Sequence, residues 1–153
     1  MKTVELFHID RKCRAVTSRT FPVLWFSPGG ACVADIFASR TFNGSDAEFL
    51  VSLFKRAFIR IEDETLCGHY PNYGLRCFDE GNLTLETTVC LSCANWIGVG
   101  SDGAERFCIA SDVFPELSSE LQHLIPLSPT EASDLQRISE MQHAFREQYD
   151  END

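Results

Sequence analysis

The chain has 153 residues, 44% of them hydrophobic, with twelve Phe and a formal net charge of −10. That length suffices for one domain with a buried core and no disulfide staples, and the apolar content excludes a disordered chain. Seven cysteines is an odd number, which excludes a fully paired disulfide framework within one chain.

Charges interrupt the stretch from Met1 to Lys12 where a secretory signal needs an apolar run, so a cytoplasmic location is expected. No segment approaches a membrane span, and membrane contact is not expected. In a reducing compartment most of the cysteines are expected to be thiols packed as small hydrophobes.

Val4–Ile9 is a β-prone run, and residues 13–18 allow a second, weakly marked strand. Phe21–Phe26 is strongly apolar, with Pro22 suited to a strand start or an edge. Ser27-Pro28-Gly29-Gly30 is a turn signal, and Cys32–Ala38 reads as the next strand, completing an N-terminal antiparallel meander. No Gly-Lys-Ser/Thr follows the glycine pair, so a phosphate-binding loop is not indicated.

Ser45 and Glu48 have the spacing of a capping box, and Phe49, Leu50, Leu53, Phe54 and Ala57 give a helix over 45–57 one apolar face. Phe58–Ile61 begins a strand. Tyr73–Phe78 and Leu83–Val89 read as a hairpin closed by Asp79-Glu80-Gly81-Asn82, with paired residue numbers summing to about 161. Residues 94–103, with Gly98, Gly100 and Gly103, read as a loop, and Arg106–Ala110 as a last strand beside the central hairpin. Asp112 is suited to cap a helix reaching Leu124. Ser128 and Glu131 form a second capping box, with Pro129 at the first helical position, for a helix to about Tyr149. Leu135, Ile138, Met141 and Phe145 form its stripe. The expected fold is a single α+β domain over 1–149, an antiparallel β-sheet with about three packed helices. The acidic end at 150–153 is expected to fray.

Folding the hairpin about its turn brings Cys67 and His69 towards Cys90 and Cys93. Three thiols and an imidazole suit a tetrahedral structural Zn²⁺, although Cys-x-His is a shorter spacing than the paired C-x-x-C of a zinc ribbon. Partly buried apolar thiols account for the same residues. Cys90-x-x-Cys93 follows a Thr-rich strand and precedes a poor helix start, so thioredoxin-like redox chemistry is not indicated. His8, His69, His123 and His143 are scattered, no nucleophile elbow is present, and no carboxylate is singled out by an apolar pocket. The chain does not read as an enzyme.

Charge is divided unevenly. Residues 1–76 carry ten Lys/Arg and eight Asp/Glu, a net +2, whereas residues 77–153 carry three and fifteen, a net −12. Such a C-terminal half repels nucleic acid and favours a basic protein partner through complementary potential. The contributing carboxylates are expected to be Glu116, Glu120, Asp134 and Glu140 on the last two helices, with Asp102 and Glu105 on the Gly-rich loop. Trp96 is the expected aromatic anchor.

The order Cys67…Tyr73-Gly74-Leu75-Arg76…Asp79…Gly81…Cys90-x-x-Cys93 resembles one found in some uncharacterised small bacterial proteins, from which no activity carries over. In size and charge the chain is similar to bacterial immunity proteins, which neutralise toxins. That similarity implies a non-enzymatic cytoplasmic binder occluding a basic toxin, with a small structural zinc domain and an acidic nucleic-acid mimic as the alternatives.

Overall fold

The computed structural model describes residues 1–24, 31–62, 69–100 and 103–150. Among these, the chain forms β1 (Lys2–Ile9), β2 (Thr20–Leu24), β3 (Ala31–Asn43), α1 (Gly44–Ala57), β4 (Phe58–Glu62), β5 (Tyr73–Asp79), β6 (Asn82–Cys90), β7 (Asn95–Gly100), β8 (Gly103–Ile109), α2 (Phe114–Leu124) and α3 (Pro129–Asp150). The strands make one eight-stranded sheet in the order β2-β3-β1-β5-β6-β7-β8-β4, antiparallel throughout. This is the expected α+β architecture of antiparallel sheet and three helices. No helix among the described residues is long and apolar enough to cross a membrane.

β1 lies inside the sheet, between β3 and β5, and both of its faces are covered. Val4 and Leu6 enter the core beneath the helices, and Phe7 and Ile9 enter a second apolar cluster with Phe21, Val23 and Ala34 on the opposite side. A strand buried on both faces needs a near-continuous apolar run, which Leu6-Phe7-His8-Ile9 largely supplies. The N-terminal part is therefore not a simple meander. Among the described residues β2 pairs only with β3, and β3 returns alongside β1. Residues 13–18 form no strand.

The central hairpin has the expected register, Tyr73 opposite Val89 and Cys77 opposite Leu85, with a shift between Cys77 and Phe78. Its turn is tighter than the sequence suggested. Asp79 pairs with Asn82, and only Glu80 and Gly81 intervene, at φ 48° and 80°. Two successive positive φ values are those of a type I′ turn, whose twist matches the flanking strands. Gly74 has a packing role: a Cβ there would lie 2.8 Å from the Phe21 ring. Phe21 in turn packs on Phe7 at 5.1 Å, and the Arg76 guanidinium sits 4.8 Å over Phe21 while bonding Glu86.

The segment expected as a Gly-rich loop contains β7, which separates β8 from the hairpin. Gly98 allows this, because the Trp96 ring lies 2.7 Å from the position its Cβ would occupy. α1 buries Ala47, Leu50, Leu53, Phe54 and Ala57 against the sheet, but it begins at Gly44 with no side-chain cap. α2 likewise lacks a side-chain cap, and Val113, not Asp112, precedes it. The capping box of α3 is formed: Ser128 Oγ accepts from the Glu131 amide at 3.2 Å, and the Ser128 amide donates to Glu131 Oε2 at 3.3 Å. The last residues, 151–153, lie outside the described residues.

Candidate functional site

The open end of the central hairpin is a polar cluster, and it is organised around His69 rather than around thiols. His69 is buried, with Nδ1 2.8 Å from Asn95 Oδ1 and Nε2 2.7 Å from Thr88 Oγ1. An amide oxygen only accepts, so Nδ1 carries a proton, and Nε2 shares a hydrogen bond with the Thr88 hydroxyl, which can donate or accept. Thr88 on β6 and Asn95 on β7 are supplied by adjacent strands, Thr88 pairing with Ile97 and Asn95 with Cys90. Both ring nitrogens are committed to hydrogen bonds in this arrangement. Metal ligation by His69 would require one of them to be broken.

The described cysteines of the expected set have other partners. Cys90 is a buried free thiol whose Sγ lies 3.2 Å from Ser92 Oγ. Cys93 is disulfide-bonded, and its partner is not among the described cysteines, so the two cysteines of C-x-x-C are not joined to each other. A disulfide sulfur is not a thiolate ligand. Cys67 lies outside the described residues. Among the described residues, no group of three or more His, Cys, Asp and Glu side chains converges as a metal ion would require.

The expected partner-binding residues are dispersed. Trp96 is a correction: only 8% exposed, it packs its ring on Phe58 at 4.7 Å and belongs to the core. The reason lies in β7, whose alternation turns Trp96 and Gly98 towards the helices. Glu116 accepts two hydrogen bonds from the Arg56 guanidinium, at 2.8 and 3.0 Å, a bidentate pair that holds its pKa below the usual carboxylate range. Glu120, one turn on, lies on the same side of α2. Phe114, Ser118 and Gln122 line a cleft of about 290 Å³ against α3, so the α2 carboxylates point away from α3. Asp134 is half-buried and contacts Arg137 at 3.5 Å. Glu140 is exposed and accepts from Gln136 at 3.0 Å. Asp102 lies outside the described residues, and Glu105 is placed by its backbone alone, opposite Gly98 on β7. Among the described residues, the carboxylates of the expected set do not lie on one continuous face.

Two features escaped the sequence reading. The first is a buried pair under α3: His8 Nε2 lies 2.7 Å from Glu131 Oε2, the same oxygen that accepts from Ser128 in the capping box. Burial alone would raise the Glu131 pKa. The His8 hydrogen bond and charge, with the Ser128 donors, outweigh burial, and the net shift is downward. Beside it, the Tyr73 hydroxyl donates to the Ile125 carbonyl at 2.7 Å, and burial raises its pKa. These contacts fasten the start of α3 and the end of α2 to β1 and β5. A histidine at a helix-facing position of a strand, two residues past Leu6 and so continuing the buried Val4–Leu6 alternation, was the available signal.

The second feature is the remainder of α3. From Ser139 to Gln148 every described side chain is exposed, including Met141 at 63% and Phe145 at 60%. The stripe begins with half-buried Leu135 and Ile138 at the cleft against α2, where Gln142 still donates to the Ser92 carbonyl at 3.4 Å, and its outer part is exposed. Glu140 and Glu147, seven residues apart, share another side of the helix, roughly 100° or more round from Met141 and Phe145. No protein-family model, curated protein or solved structure matches the chain.

Proposed function

We propose that the chain is a non-enzymatic binding protein whose α3 docks on a basic protein partner, and that it acts as an immunity protein occluding a basic bacterial toxin. The observation that carries this reading is the outer part of α3, where exposed Met141 and Phe145 lie one turn apart on one side of the helix and Glu140 and Glu147 share a second side. Large apolar side chains held in water on a regular helix are disfavoured unless something covers them. A partner with a groove that wraps the helix, apolar where it meets Met141 and Phe145 and lined by Lys and Arg farther round, would engage both rows. The apolar residues would supply the anchors, and the carboxylates would supply steering and orientation.

The net charge of −10 supports a basic partner over nucleic acid, since phosphate binding needs clustered cations. The mixed character of the helix favours a protein interface over mimicry of a phosphate backbone, because a mimic has no use for exposed Met141 and Phe145. Glu116 is not part of this surface, being neutralised by Arg56. The test is affinity capture with the full chain and with Met141→Ala/Phe145→Ala. A basic protein retained by the first and lost by the second supports the reading. Equal retention by both places the interface elsewhere.

A further inference from the structure

A second cavity lies on the helix-covered side of the sheet, away from α3. It occupies about 280 Å³ between the C-terminal half of α1 and the strands β5, β6 and β7. One wall is aromatic. Phe54 and Phe58 stack at 5.6 Å with an interplanar angle of 9°, and Phe58 meets Trp96 at 4.7 Å. Val51, Cys77 and Leu85 continue the apolar lining, and among the described residues no carboxylate contributes to it. Protein interiors are close-packed, so such a space beside the core forfeits contacts that a suitable guest would restore.

The polar groups at this cavity are unequal. Thr84 donates its hydroxyl hydrogen to the Cys77 carbonyl at 3.0 Å, so that proton is already used. Lys55 is exposed and enters no hydrogen bond or ion pair within the described residues, whereas its neighbour Arg56 is held by Glu116. An apolar cleft with one uncommitted ammonium at its edge is complementary to a ligand with one anionic end. At the share of about 30 Å³ that each water takes in the liquid, the volume holds about nine water-sized groups. That is a short-chain or single-ring ligand. Cys77 is not a covalent participant, because burial pushes its thiol up to about 11.

We propose that this cleft binds a small amphipathic carboxylate, with its apolar body against Phe58, Trp96 and Leu85 and its carboxylate at the Lys55 ammonium. The site shares no residue with the α3 surface, and either proposal can fail alone.

Octanoate and octylamine, matched in length and opposite in charge, are the probes. The readout is the methyl resonances of Val51 and Leu85 in the full-length protein, with Lys55→Gln and Lys55→Glu as variants. Lys55 is exposed, and circular dichroism checks that the variants remain folded. Octanoate should shift both methyl groups saturably, octylamine should bind at least about tenfold more weakly, and Lys55→Glu should weaken octanoate by about tenfold or more. The Glu140→Lys/Glu147→Lys variant should bind octanoate as the parent does. Absence of saturable shifts, equal binding of the two probes, or an unchanged affinity in Lys55→Glu would overturn the proposal.

Discussion

Replacing His8 with Ala removes the hydrogen bond that lets Glu131 stay ionised under α3. In the parent protein Glu131 Oε2 accepts from His8 at 2.7 Å and from Ser128 at 3.1 and 3.3 Å, in a position only 9% exposed. Hydrogen bonds to charged groups contribute about 1.5–3 kcal/mol, and because Ser128 keeps donating, the loss is expected near about 2 kcal/mol. With a urea m-value of about 2 kcal/mol/M, the midpoint should fall by about 1 M with m unchanged. The pH dependence carries the sign. Glu131 has a folded pKa below its unfolded value, so it contributes stability above the unfolded pKa and loses it as pH falls through the folded pKa. In His8→Ala burial is left as the larger influence, and the acid decline should flatten. A midpoint within about 0.2 M of the parent, or an unchanged acid limb, would refute this account of the α3 attachment.

Gly74→Ala places a methyl carbon 2.8 Å from the Phe21 ring and should destabilise by about 1–3 kcal/mol, while Gly74→Ala/Phe21→Leu should recover part of the loss. No recovery would mean that the ring contact is not the cause. Treatment with a metal chelator should leave the thermal midpoint in place, since His69 is bonded through both nitrogens to Asn95 and Thr88. A fall of several degrees on chelation, restored by zinc, would revive a structural metal site at the hairpin's end.

The parts legible in the sequence were those where local chemistry and tertiary structure agree. The hairpin from Tyr73 to Val89 has alternating side chains and a Gly where its turn requires positive φ. The Ser128–Glu131 box forms as spaced. The same pattern at Ser45–Glu48 did not form the start of α1, because the backbone turns into the helix at Gly44, φ 60°, before Ser45 is reached. β3 runs on to Asn43 through Ser39, Arg40 and Thr41, which are exposed and look like loop. Pairing with Thr3–Phe7 of β1 holds them extended, a cause that lies in another strand. β7 was hidden for a similar reason: its glycine answers to the Trp96 ring, not to a turn.

The candidate site was less legible than the fold. Convergence of Cys67, His69, Cys90 and Cys93 was read from hairpin geometry, which brings residues to one end but does not aim them. His69 finds Thr88 and Asn95 instead, one from the neighbouring strand β7, whose existence the sequence reading had not included. Net charge identified an acidic half but could not show that Arg56, brought in by α1, occupies Glu116. Met141 and Phe145 fitted a core stripe by period. Whether a helical stripe meets the sheet depends on where the sheet ends, and nothing in α3 itself records that.

Whether α3 is a docking surface is tested most directly by the affinity for the captured basic partner, measured across rising salt for the full chain and for Glu140→Lys/Glu147→Lys. Exposed charges act through a field that salt screens, so parent binding should weaken steadily with ionic strength. The charge-reversed protein should bind at least about tenfold more weakly at low salt and show little salt dependence. Equal affinity of the two proteins, or parent binding indifferent to salt, would contradict the assignment of α3 as the surface that meets a basic partner.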